Sequence, residues 1–177
     1  VTVFGFSSEN WKRPQDQVDF LMHVFEKYLG EGIDQFNKEG VRVRVIGQRD
    51  RLSSSLKNVV EKVEAGTIQN TGVNLNLAVS YGGRWDIINA AKKIIEQGIS
   101  PDNITEDLFE SYLSTAGQPV PDLVIRAGGE TRLSNFVLWQ AAYAELYFSE
   151  KMWPEFTEAD LDEALAEFTS RQRRFGK

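Results

Sequence analysis

Short β-branched and aromatic runs alternate with longer stretches of helical periodicity along this chain, and that alternation limits the fold more than any other feature. Residues 1–6, VTVFGF, are apolar and are closed by the turn-forming SSEN, the pattern of a buried strand. Pro14 then suits the first turn of a helix, with Asp16 near its positive end. From Val18 the residues Leu21, Met22, Phe25, Leu29, Ile33 and Phe36 fall on one helical face. Phe20, Val24 and Tyr28 make a second stripe, so this helix has to be covered twice or line an apolar cavity. Gly40 ends it. Residues 41–47, VRVRVIG, alternate with period two, Arg42 and Arg44 opposite the valines.

The same alternation continues. Residues 49–64 have the spacing of a helix, with Leu52, Leu56, Val59, Val60 and Val63 in register, and the Asn70-Thr71-Gly72 turn leads into the strand VNLNLAVS. Tyr81-Gly82-Gly83-Arg84 opens onto a helix whose expected core face is Ile87, Ile88, Ala91, Ile94 and Ile95, stopped by Gly98 with Pro101 beyond. A short helix over 105–114 and the strand DLVIR follow. Ser134 or Asn135 is expected to cap a short helix through Tyr143, ELYF to be the last strand, and Thr157 to start a helix packed through Leu161, Leu165 and Phe168.

This order predicts an α/β fold: a mostly parallel central sheet flanked by helices on both faces, as a single domain over residues 1–177. Ligands of such sheets bind outside the carboxyl ends of the strands. The loops SSENW, SYGGRW and RAGGETR are therefore expected at one edge, and they are chemically the most loaded in the chain.

Composition narrows the classes. The 177 residues are 41% hydrophobic and 26% charged, ordinary values for one globular domain. No apolar run approaches the roughly 18 residues of a spanning helix, and nothing resembles a signal peptide. Zero cysteines exclude disulfides and thiolate metal sites and fit a cytoplasmic protein. A net charge of −6 argues against nucleic-acid binding, so any anion site must be a local cluster. The single histidine, His23, sits mid-helix, which disfavours Ser-His-Asp catalysis and multi-histidine metal sites.

Residues 126–148, RAGGETRLSNFVLWQAAYAELYF, concentrate the chemistry. Arg126, Arg132 and the Ser134 hydroxyl could grip a phosphate or diphosphate, with Gly128 and Gly129 letting the backbone come close. The bland reading pairs both arginines with surface acids. Glu145 lies between Ala144 and Leu146, where a carboxylate needs a cation: either a partner arginine or a hard metal such as Mg²⁺. Ser7, Ser8, Glu9, Asn10, Trp11 and Arg13 form either an ordinary capping turn or a set of polar contacts with an aromatic wall. Arg171, Arg173 and Arg174 suit a solvated helix end, or a lid over a phosphate or across a subunit interface.

Four segments carry a family resemblance: FSSENWKRP (6–14), YGGRWDI (81–87), residues 126–148, and the closing RQRRFG. In this order they resemble the cis-prenyltransferases, specifically those of the bacterial undecaprenyl diphosphate synthase type. The resemblance implies a Mg²⁺-dependent transferase that adds isopentenyl diphosphate to farnesyl diphosphate and yields a long polyprenyl diphosphate, the lipid-carrier precursor for cell-wall synthesis. It implies a homodimer with an apolar tunnel, and a transient membrane contact for product release. Residues matching Arg126, Arg132, Leu133 and Ser134 bind the diphosphate of isopentenyl diphosphate, and the match of Glu145 belongs to the Mg²⁺ site. Matches of Ser7, Ser8, Glu9, Trp11 and Arg13 line the central site around Asn10, to which a proton-accepting role is assigned.

One element of the family pattern, an aspartate- and glycine-bearing phosphate loop ahead of the first strand, has no match here. The expectation is a cis-prenyltransferase domain missing its first strand and that loop, and inactive without them. The alternatives are a non-catalytic prenyltransferase-like subunit that binds diphosphates or an active partner, and an unrelated phosphate-ester enzyme on a similar scaffold.

Overall fold

In the computed structural model, residues 1–171 are described; Arg173 and Arg174 of the basic cluster lie outside them. The elements follow as β1 (Thr2–Ser7), α1 (Gln15–Glu31), α2 (Ile33–Lys38), β2 (Arg42–Ile46), α3 (Ser54–Thr67), β3 (Asn74–Tyr81), α4 (Gly83–Glu96), α5 (Glu106–Tyr112), β4 (Leu123–Ala127), β5 (Glu145–Ser149) and α6 (Glu158–Ser170). The fold is α/β with parallel sheets flanked by helices, and the strands divide into a three-stranded sheet ordered β1-β3-β2 and a two-stranded sheet β4-β5. These belong to two compact units, Val1–Ala116 and Gly117–Lys177.

In the first unit β3 is central and pairs in parallel with both neighbours, Val3 beside Leu77 and Val45 beside Leu77. Parallel strands need crossover connections: α1 and α2 carry the chain from β1 to β2, and α3 from β2 to β3. Val43 and Val45 are buried on one face of β2 with Leu56, Val60 and Val63 of α3, Val18 and Leu29 of α1, and Phe6. Leu21, Met22, Phe25, Ile33 and Phe36 pack against that core, as their helical spacing requires.

Four details differ from the sequence pattern. The long first helix is interrupted at Gly32, where an added Cβ would meet Phe36 and the Tyr28 carbonyl at 2.9 Å. The helix expected from Arg49 begins at Ser54, because Ser53 caps it by accepting a hydrogen bond from the Leu56 N–H at 3.1 Å. Residues 49–51 form a separate short turn. On α4 the buried positions are Asp86, Ala90 and Ile94, whereas Ile88 and Ile95 are exposed. The stripe of α1 also divides: Phe20 and Tyr28 are exposed.

In the second unit β4 and β5 pair with Leu123 beside Glu145 and Arg126 beside Phe148. The helix expected from Ser134 through Tyr143 is absent; turns replace it. Ser134, Asn135 and Val137 have φ of 48°, 65° and 34°, and a right-handed helix cannot pass through such residues. Helix α6 buries Asp160 and Ala164 and leaves Leu161 and Leu165 exposed, the reverse of the expected face. Lys151 reaches the Asp160 carboxylate at 2.5 Å while the Thr157 N–H and hydroxyl donate to its other oxygen at 2.7 Å. A polar group so bonded can face the interior.

Candidate active site

The carboxyl edge of the three-stranded sheet gathers two of the three loaded loops. After β1, residues Ser8–Lys12 form a tight turn. The Ser7 N–H donates to Asn10 Oδ1 at 2.9 Å, and the Arg13 N–H to the Asn10 carbonyl at 3.0 Å. A backbone donor must face the amide oxygen, so the side-chain NH₂ of Asn10 points the other way. The Ser8 hydroxyl donates to Glu9 Oε2 at 3.0 Å. Trp11 donates from Nε1 to Ser80 Oγ at 2.8 Å and meets Phe6 edge-on, centroids 5.1 Å apart. Arg13 is exposed and, with Asp16, Gln17, Phe20 and Leu21, lines a cleft of 330 Å³. A cation and an aromatic ring sharing one cleft suit a ligand with an anionic head and an apolar tail.

After β3, the YGGRWD segment turns inward. The Tyr81 hydroxyl donates to Asp86 Oδ2 at 3.0 Å, and the Ser114 N–H and hydroxyl donate to Asp86 Oδ1 at 2.9 and 2.6 Å. Tyr81 and Asp86 are almost wholly buried. Their bonds anchor the start of α4.

The third loop follows β4 in the second unit. Gly128 and Gly129, at φ 100° and 72°, turn the chain as only glycine does readily. Their N–H groups, expected to face an anion, instead donate to the Lys151 and Ser149 carbonyls at 2.8 and 2.9 Å. Anion binding here must come from side chains. Arg126 donates from Nη1 to Ser134 Oγ at 2.6 Å and to the Arg132 carbonyl, and it makes no ion pair among the described residues. Arg132 pairs with Glu130 at an exposed position, and Leu133, between Arg132 and Ser134, is half-buried.

Glu145 has a cation in the chain itself. Arg171 donates from Nη1 to Glu145 Oε2 at 2.7 Å and to the Leu146 carbonyl at 3.1 Å, and from Nη2 to Glu167. Bonds to Glu145 and then Glu167 hold the Arg171 guanidinium above its ordinary pKa. Among the described residues no cluster of three His, Asp or Glu is gathered for a metal. Mg²⁺ takes one or two carboxylates and completes its shell with phosphate oxygens and water. Glu145 Oε1, which takes no hydrogen bond from a described residue, fits such a site as one ligand.

Three contacts were not foreseen. Ser80 at φ 55° carries no local mark in a strand-like run. Arg51 was assigned to a helix, although a loop after a parallel strand was a reason to notice it. Arg171, expected at a solvated helix end, over a phosphate or across a subunit interface, instead pairs with Glu145.

The comparisons agree with the resemblance. The sequence model of a family described as putative undecaprenyl diphosphate synthase matches residues 1–176. An isoprenyl transferase of Neisseria gonorrhoeae is 49% identical over 177 residues, covering 100% of this chain and 71% of the relative. The ditrans,polycis-undecaprenyl-diphosphate synthase ((2E,6E)-farnesyl-diphosphate specific) of Pseudomonas aeruginosa is 48% identical over 181 residues, covering 100% and 72%. Among solved structures, lavandulyl diphosphate synthase from Lavandula x intermedia in complex with dimethylallyl diphosphate superposes with a TM-score of 0.94 at 41% identity, over 99% of this chain and 78% of that one. A probable undecaprenyl diphosphate synthase from Campylobacter jejuni gives 0.89 at 40%, over 99% and 82%. On the match of the whole motif-bearing sequence and of the fold, the chain belongs to the undecaprenyl diphosphate synthase family of cis-prenyltransferases.

Proposed function

We propose that this enzyme, as one prenyltransferase domain, condenses isopentenyl diphosphate units onto farnesyl diphosphate with cis geometry, giving an undecaprenyl-type diphosphate used as a lipid-carrier precursor for the cell wall. The substrate named for the Pseudomonas aeruginosa relative supports farnesyl diphosphate as the starter. The observation that carries the reading is Arg126, delivered by a parallel strand, bonded to the Ser134 hydroxyl at 2.6 Å and lacking an ion-pair partner among the described residues. A guanidinium fork beside a hydroxyl matches diphosphate oxygens. Arg132 adds a second fork, since its exposed pair with Glu130 is of the kind worth about 1 kcal/mol or less. Leu133 supplies apolar contact beside them.

In the reaction the allylic carbon–oxygen bond breaks, the double bond of isopentenyl diphosphate attacks that carbon, and a proton leaves the new chain. Arginines and hydroxyls hold the diphosphates and stabilise the departing charge. Mg²⁺, with Glu145 as protein carboxylate, supplies further charge neutralisation when bound. Asn10 is a neutral amide whose oxygen already accepts from the Ser7 N–H, so it acts as a donor from its NH₂. It positions a diphosphate oxygen or a water that takes the proton. Ser7, Ser8, Glu9, Trp11 and Arg13 lie beside Asn10 on the same loop of the first unit and add polar and aromatic contacts there.

The same reading makes the enzyme a cytoplasmic homodimer that touches the membrane transiently to release its apolar product. No helix among the described residues is long and apolar enough to cross a membrane. The test is steady-state turnover of farnesyl and isopentenyl diphosphates by the full-length protein with Mg²⁺. Arg132→Ala is expected to raise KM for isopentenyl diphosphate by about 10-fold or more, the worth of a charge-assisted bond. An unchanged KM removes Arg132 from the grip.

A further inference from the structure

Trp11 is held from all three strands of the first sheet. Phe6 of β1 meets its ring edge-on, and Ser80 of β3 accepts its Nε1–H at 2.8 Å. The loop after β2 places the Arg51 guanidinium carbon 4.6 Å from the ring centroid. Such a cation faces the electron-rich surface of the indole. Ser80 cannot move away easily: it is fully buried at φ 55°. The loop bearing Arg51 is tied to the same place, because the Gln48 N–H donates to the Ser80 carbonyl at 3.0 Å. Gly47 makes this approach feasible, since a Cβ there would lie 2.1 Å from the Val79 carbonyl oxygen.

Arg51 itself is exposed and pairs with no carboxylate among the described residues. Its near neighbour Arg49 bonds Glu64 at 2.5 Å and the Val45 carbonyl at 2.7 Å. The two arginines therefore differ in kind: one fastens the loop to α3 and β2, and the other lies over an aromatic ring of the candidate site.

We propose that Arg51 is a positioning residue for substrate binding, fixing the Trp11 ring between its guanidinium and Ser80 so that the ring forms a rigid wall of the site. The inference rests on the reading of Trp11 as part of that site. An untethered ring would have to be ordered when substrate arrives, so the loss should fall on binding rather than on the chemical step.

The test is a double-mutant cycle in the full-length protein, with KM and kcat measured for both diphosphate substrates. Arg51→Ala is expected to raise KM for one of them by about 5-fold with little change in kcat, Arg51→Lys to restore part of the loss, and Arg51→Ala to add nothing in a Trp11→Ala background. In a full-length variant with every tryptophan other than Trp11 replaced by Phe, Trp85, Trp139 and Trp153 among them, Arg51→Ala should also increase acrylamide quenching of Trp11. If Trp11→Ala leaves both KM values unchanged, Trp11 is not in the site and the inference falls with that reading. A Trp11→Ala defect with an unaltered Arg51→Ala enzyme, or additive effects in the double variant, overturns the role of Arg51 alone.

Discussion

The two units of this chain hold their loaded loops by different physics. In the first, Trp11 and Asp86 are fixed by contacts from several elements around an apolar core. In the second, the segment between β4 and β5 is a run of turns with three positive-φ residues other than glycine. Charged pairs follow it on its carboxyl side: Arg171 with Glu145 at the start of β5, and Lys151 with Asp160 beyond it. Burial locks a geometry largely irrespective of salt and pH, whereas partly exposed charges respond to both. The first arrangement suits a preformed wall and the second a grip whose arginines exchange protein partners for phosphate.

The contrast breaks most directly at Leu56, which is 1% exposed on α3. Leu56→Ala should cost about 2–5 kcal/mol through lost burial and a residual cavity, read as a shift in the urea midpoint. The exposed Leu165→Ala of α6 should stay within about 0.5 kcal/mol; equal effects would abolish the distinction. Next comes Gly47→Ala. With φ 126° and a Cβ 2.1 Å from the Val79 oxygen, it should cost more than about 1 kcal/mol and speed amide exchange in the β2–α3 loop. Ser53→Ala, removing the cap of α3, should cost about 1 kcal/mol.

The smallest effect lies in the second unit and depends on pH. Lys151 first, then the Thr157 N–H and hydroxyl, lower the Asp160 carboxyl from an ordinary 3.8 to about 2. A depressed folded-state pKa stabilises above the unfolded value and is lost as pH falls, so this contribution is complete above about pH 4 and fades toward pH 2. Lys151 is shifted upward, chiefly by its bond to Asp160, so its contribution is present below 10.5 and is lost as pH climbs past the raised value. Asp160→Asn should flatten the acid limb of the stability profile, measured by thermal melting between pH 2 and 5. An unchanged limb would show that the second unit does not rely on this pair.

Much of the candidate site was legible because its residues are local to strand ends. Ser7 ends β1 and Ser8 through Arg13 follow it directly, and Arg126 lies near the end of β4, whose apolar run could be little else than a strand. The expected Gly-Gly anion cradle failed for a nonlocal reason: the carbonyls that take its N–H groups belong to Ser149 and Lys151, some 20 residues on. Glu145 illustrates the same limit. Its position in an apolar run announced a need for a cation, but the choice of Arg171, 26 residues away, depends on where α6 ends.

By itself the sequence determined the alternating α/β order, the parallel strands that short crossover helices impose, and the motif loops at the strand ends, since periodicity and turn chemistry act over a few residues. Only the tertiary structure decided that β3 stands between β1 and β2, that α4 turns Asp86 inward and Ile88 and Ile95 outward, that α6 turns Asp160 inward and Leu161 and Leu165 outward, and that residues 134–143 form turns instead of a helix. Each of those outcomes turns on which distant donor or surface meets a given side chain, and a polar residue whose partners are supplied can outcompete an apolar one for the interior.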